Sequence, residues 1–339
     1  MTPLQVTWFI LVAALFSVYA VLDGFDLGAG VWHLFAHGER ERPVLLRAIG
    51  PFWDGNEVWL LTGGGALFAA FPHVYATVFS GMYLALILVV CALILRAVAV
   101  EFRSKEPSLR WRNWWDRAFA VGSILPALLF GIALGNILRG LPLDASHNFT
   151  GTFFGLLNPY GLLIGLVSLS LLAFHGALYI AVKTESALTQ RALKWARHTW
   201  VVFGVVFAGA VLWSALGHPH LLAKYLNAPV WWLLPLGVFA AILGAGRFTW
   251  AGNARWAFGF SALSITGVMG LVAVSLFPHL VPALGHPPSS LTVANAASSQ
   301  LTLLTMLIIA LLGLPLVVGY TIWAYHVLGG KAAVDEAGY

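Results

Sequence analysis

Nine windows of this 339-residue chain are apolar over about the twenty residues that a helix needs to cross a bilayer. They lie at roughly 6–32, 53–71, 76–101, 117–138, 158–182, 199–216, 230–250, 256–281 and 301–328. With 60% hydrophobic residues and a mean hydropathy of +0.86, the chain lies outside the range of soluble globular proteins. It reads as an all-α, polytopic membrane protein: one integral-membrane domain over 1–339 with about nine transmembrane helices. The longest hydrophilic stretch, about 103–117, is too short for a core of its own.

Lysine and arginine orient the spans, because cytoplasmic loops carry the excess. The loops after windows one, three, five and seven hold Arg40, Arg42, Arg47; Arg103, Lys105, Arg110, Arg112, Arg117; Lys183, Arg191, Lys194, Arg197; and Arg247, Arg255. The opposite loops hold only Arg139 and Lys224. The expectation is an N-terminus outside and, after nine crossings, a C-terminus with Lys331 in the cytoplasm. The net charge of +5 is therefore topological, and no nucleic-acid partner is expected. The first window has no basic lead-in or cleavage site and reads as a retained span. Cys91, the only cysteine, reads as a small buried hydrophobe, which excludes a disulfide framework or a cysteine metal motif. Spacings such as Gly24 to Gly28, Gly131 to Gly135 and Gly161 to Gly165 let helices approach closely in lipid.

In a chain only 9% charged, Asp23, Asp26, Asp54 and Glu57 sit in or beside apolar runs. A charge at the centre of a span costs about 2.5–3.5 kcal/mol even on lenient scales, so such groups pair, face a wet cavity or carry protons. Asp23 and Asp26 share one helical face and start a proton path, cap a helix break at Gly24, or pair with a cation such as Arg96. Asp54 and Glu57 fit an acidic form of the capping box, although water is scarce between Trp53 and the run from Val58. Arg96 either snorkels or serves as counter-charge to one of the acids, with Glu101 about one turn and a half away. His33 and His37 have a spacing that can place two imidazoles on one face for a metal, but their position favours the interface. His175 lies inside a span and either bonds across helices or ligates. Gly63-Gly64-Gly65 lacks the context of a phosphate loop and reads as a place of close helix contact. No metal site is expected.

Taken in order, YAVLDGFDLGAG (19–30), IGPFWDGNEVWLLTGGGALFAAFP (49–72), HGALYIAVKTE (175–185), LTVANAASSQLTLLTML (291–307) and LPLVVGYTIWAYHVLGGK (314–331) resemble subunit II of the cytochrome bd-type quinol oxidases, end to end. The resemblance implies two four-helix bundles, helices 1–4 at about 6–138 and helices 5–8 at about 158–281, plus a peripheral ninth helix at about 301–328. It implies a bacterial cytoplasmic-membrane heterodimer with a larger subunit I that holds two b haems, haem d and the quinol site, with small single-helix subunits sometimes added. Quinol and oxygen are the complex's substrates, and protons come from the cytoplasm. Subunit II is expected to bind no haem directly, to serve assembly and haem retention, and to leave room for a structural quinone or membrane lipid. Position by position, Asp54 matches the acid at the mouth of an interfacial proton path, with Trp53 orienting it. Glu101 matches an acid of the same route, and Arg96 a basic position. Trp59 lies near the proposed oxygen entry, and Asp23 and Asp26 match an acidic pair. Two rival readings are a haem-bearing cytochrome using His33, His175 or His326, and a proton-coupled carrier with an interrupted helix at LDGFDLG.

Overall fold

The computed structural model describes residues 1–332. Its helices are α1 (Pro3–His33), α2 (Gly38–Ile49), α3 (Trp53–Ala70), α4 (Pro72–Gly81), α5 (Tyr83–Phe102), α6 (Leu109–Arg139), α7 (Phe153–Leu156), α8 (Pro159–Lys183), α9 (Ser186–Gly217), α10 (Ala223–Asn227), α11 (Leu233–Trp250), α12 (Ala254–Leu276) and α13 (Gln300–Val327). A short antiparallel pair, β1 (His279–Val281) with β2 (Leu291–Thr292), is a small addition to the expected all-α architecture. Eight described helices are long and apolar enough to cross a membrane, which makes this a multi-pass membrane protein. The remaining window is α3. It has 18 residues, roughly 27 Å of helix, but Asp54, Asn56 and Glu57 at its start lower its apolarity.

Local chemistry explains where helices start and stop. Thr2 accepts from the Gln5 amide while the Gln5 side chain returns to the Thr2 amide, a reciprocal cap ahead of Pro3. Asn158 caps α8 ahead of Pro159 by a single bond, accepting from the Gly161 amide. Pro72 disfavours helical backbone at the residue before it, so α3 stops at Ala70 and Phe71 turns out to φ −134°, ψ 64°. The 76–101 window is two helices: α4 ends at Gly81, Met82 is non-helical, and α5 begins at Tyr83. The 256–281 window ends early at Leu276, because Pro278 holds Phe277 extended. The expected break at Gly24 does not occur. α1 runs unbroken through LDGFDLG, which removes both the helix-break cap and the interrupted helix that motivated a carrier.

Those glycines serve packing instead. A Cβ on Gly28 would stand 2.0 Å from the Leu172 carbonyl oxygen, and one on Gly176 2.3 Å from the Gly28 carbonyl carbon, so α1 and α8 cross backbone to backbone. Gly131 meets Gly165 between α6 and α8 in the same manner. In the triple run only Gly63 meets a helix, at Phe16, while Gly64 and Gly65 face open space. α1 packs on α3, α6, α8 and α12, and α8 packs on α1, α6, α9 and α12. α13 touches α1 and α3 and is pinned where Trp8 Nε1 donates to the Leu303 carbonyl at 2.9 Å.

Candidate functional site

Arg96, only 1% exposed, centres a polar site among apolar helices. On its backbone side, Gly122 of α6 comes so close that a Cβ would sit 2.8 Å from the Arg96 nitrogen, and the side chain reaches towards α1 and α3. Its Nη2 donates to Asp23 Oδ1 at 2.7 Å and to Glu57 Oε1. Asp26, one turn along α1, accepts at Oδ2 from Asn56 Nδ2 at 2.8 Å. Asn56 in turn accepts at Oδ1 from the Tyr325 hydroxyl of α13 at 2.8 Å. Tyr19 Oη, Asp23 Oδ2, Asp26 Oδ1 and Arg96 Nε and Nη1 are buried with no protein partner among the described residues. Three carboxyl groups face one guanidinium, a formal surplus of two negative charges. Ionisable groups inside a span pair, face a wet cavity or carry protons.

Of the sequence-derived candidates, Asp23, Asp26, Glu57 and Arg96 are brought together, and the partner that sequence left open for Arg96 is Asp23 together with Glu57. Asp54 and Glu101 lie exposed and make no hydrogen bond among the described residues. Glu101 shares α5 with Arg96 but is not its partner. The capping-box reading of Asp54 and Glu57 fails: α3 begins one residue earlier, at Trp53, Phe52 is the cap position without a side-chain bond, and Glu57 binds Arg96. Trp53 is half-buried, and Trp59, 6% exposed, packs with Leu15 and Tyr19. Cys91 is exposed, contrary to expectation. Asn56 and Tyr325 were missed. The Asn56 position in WDGNEVW was visible, but nothing in sequence ties it to a tyrosine 269 residues away.

A second buried network lies where α1, α2, α5 and α6 meet. His33 Nε2 stands 2.6 Å from Asp116 Oδ1, and Arg42 Nη1 donates to Oδ2 at 2.8 Å. Arg103 donates to both Asp116 oxygens and to Glu39 at 2.8 Å, and Arg112 donates to Glu39 at 2.7 Å. His33 is fully buried rather than interfacial, and it ends α1 while His37 caps α2, so the two do not share a helical face. His175 uses both ring nitrogens, Nδ1 at 2.6 Å from Ser261 Oγ and Nε2 at 3.1 Å from the Val21 carbonyl. His326 is exposed on α13. Axial haem ligation needs a free imidazole nitrogen facing an open pocket; His175 has none free, whereas His33 Nδ1 is buried without a partner among the described residues.

A family model described as cytochrome bd terminal oxidase subunit II matches residues 4–328. The chain is 40% identical to the cytochrome bd ubiquinol oxidase subunit 2 of Bacillus subtilis, over 99% of each. It is 36% identical to the cytochrome bd-I ubiquinol oxidase subunit 2 of Escherichia coli K12, over 98% of this chain and 96% of that one. The solved structure of bd oxidase from Geobacillus thermodenitrificans shares the fold at a TM-score of 0.76 and 18% identity, covering 97% of this chain and 100% of that chain. A multi-pass helical chain matched over this length belongs to the cytochrome bd terminal oxidase subunit II family, whose relatives are subunits of a membrane oxidoreductase.

Proposed function

We propose that this chain is the haem-free second subunit of a quinol:oxygen oxidoreductase and that it lines a proton-uptake route for a larger, haem-bearing subunit I. In that complex two quinols and one oxygen molecule become two quinones and two waters. The electrons pass through the partner's two b haems and haem d, and oxygen reduction consumes protons drawn from the cytoplasm. The engagement of both His175 nitrogens by protein groups supports the haem-free reading. In this reading α3 is the ninth crossing, the helices form two bundles (6–138 and 158–281) with α13 peripheral, and the N-terminus faces outward in a bacterial cytoplasmic membrane.

The carrying observation is the Asp23–Arg96–Glu57 network with its unpartnered polar atoms. Asp54 stands exposed one turn before Glu57 on α3, and Glu101 one turn and a half beyond Arg96 on α5. Protons arrive at these two exposed acids, where subunit I would cover them, and pass to Glu57. Arg96 cannot release its own proton. It holds Glu57 and Asp23 in place, and water on the free atoms of Asp23, Asp26 and Tyr19 carries the proton onward. Trp53 flanks the entry and Trp59 walls the network from lipid. Replacing Asp54 by Asn in the complete oxidase tests the route: haem spectra remain and oxygen consumption falls. Unchanged turnover overturns the proton role, and lost haem assigns the residue to assembly.

A further inference from the structure

We infer that Asn56 and Tyr325 are positioning residues for Asp26, and that α13 is through them a working part of the proton route. The inference rests on the route proposed above and adds two residues to it.

Each donor in the chain has one direction. A backbone carbonyl can only accept, so the Leu22 carbonyl at 3.3 Å holds the Asn56 NH2 on its own side, and the amide oxygen is left to accept from Tyr325 Oη at 2.8 Å. The Asn56 NH2 then faces two acceptors, Asp26 Oδ2 at 2.8 Å and the Leu22 carbonyl at 3.3 Å. With Oδ2 taken by a donor, the proton that Asp26 exchanges belongs on Oδ1. That is the oxygen without a protein partner, in company with the free atoms of Tyr19, Asp23 and Arg96. Removing the Tyr325 hydroxyl takes away the donor that holds the amide oxygen, so the amide is free to tilt and its bond to Asp26 Oδ2 loosens.

α13 is otherwise a helix that faces outward, with 6% of its apolar window buried. Its inner end is held by more than apolar contact. The Tyr325 ring stacks on Phe52 at 4.2 Å and 13°, and Lys183 Nζ donates to the Gly330 carbonyl at 3.2 Å. The stack and the Lys183 contact would hold the helix without any hydroxyl, so the hydroxyl does something that anchoring does not require.

The test uses the complete oxidase and two readouts: the infrared carboxyl band of Asp26, identified by its loss in D26N, and the pH profile of oxygen consumption. Y325F keeps the stack. It is expected to leave haem content and melting unchanged, to shift the band, and to displace the pH profile by at least about half a unit. N56S, which replaces the amide donor by a hydroxyl one bond shorter, should shift the same band, and it carries the test if Y325F does not assemble. If D26N lowers turnover but Y325F and N56S leave band and profile as in the wild type, the positioning role is overturned and the route stands. If D26N leaves turnover and profile unchanged, the route falls and this inference with it.

Discussion

The two buried ionic networks are built from the same residue types and reach opposite conditions. Around Asp116 both carboxylate oxygens are filled by His33, Arg42 and Arg103, and three guanidiniums face two carboxylates once Glu39 and Arg112 are counted. Around Arg96 three carboxyl groups face one guanidinium, and five buried atoms have no protein partner. The Asp116 carboxylate is saturated and ties α1, α2, α5 and α6 together, while His33 Nδ1 and Arg42 Nε beside it are buried without a partner among the described residues. The Arg96 network has surplus acids and more open atoms, and the proposed proton route rests on that imbalance of donors and acceptors rather than on burial alone.

Substitutions should separate the two. Arg96→Leu leaves Asp23 and Glu57 buried without a counter-charge. It is expected to cost about 3–5 kcal/mol, the usual effect of breaking a buried pair from one side, read as lost yield and melting temperature of the complex. Asp116→Asn keeps an acceptor but loses the charge. Its expected cost is about 1.5–3 kcal/mol, with the pH profile of turnover unmoved; a displaced profile would make the second network a proton site too. Glu57→Gln still accepts from Arg96, so melting should hold while oxygen consumption falls roughly tenfold, the equivalent of about 1.4 kcal/mol on the barrier. A loss of stability like that of Arg96→Leu would instead make the first network a staple and erase the contrast.

The smallest effect belongs to a lone cation far from both networks. Burial pushes Lys224 down to about 8, with Nζ 4.0 Å over the Phe277 ring. The folded state then releases its proton earlier than the unfolded chain, whose lysine titrates near 10.5. The penalty for the buried charge is full below pH 8 and fades between 8 and 10.5 as the folded lysine becomes neutral. Thermal melting of Lys224→Met against wild type should therefore show the wild type gaining on the variant as pH rises through that window. A gap independent of pH would show that packing, not charge, sets the difference.

Much of the fold was legible in the residues. The apolar windows located the middles of the long helices, but α6 and α9 start eight and thirteen residues before their windows, the 76–101 window is split at Met82, and Pro278 ends α12 early. The small-residue spacings marked glycines that lie at the α1–α8 and α6–α8 crossings without saying which helices meet. The four acids were visible as charges out of place, and Arg96 as a counter-charge whose partner was not assigned. Cys91 and the Gly64-Gly65 pair were misread for one shared reason. In a soluble protein the buried face of a helix is the apolar one, but lipid is as apolar as a core, so periodicity does not say which face of a span points inward.

That limit divides what this chain declares from what its folding decides. Apolar length, the strings shared with the family and the presence of stray carboxylates are written locally and survive any arrangement of the helices. Which carboxylate receives Arg96, 73 residues from Asp23 and 39 from Glu57, depends on how α1, α3 and α5 are rotated about their axes. So does the meeting of Tyr325 with Asn56. Those rotations are set by glycine contacts between helices and by the cost of leaving a polar atom unsatisfied in a medium without water. Both are properties of the assembled bundle and of no single segment.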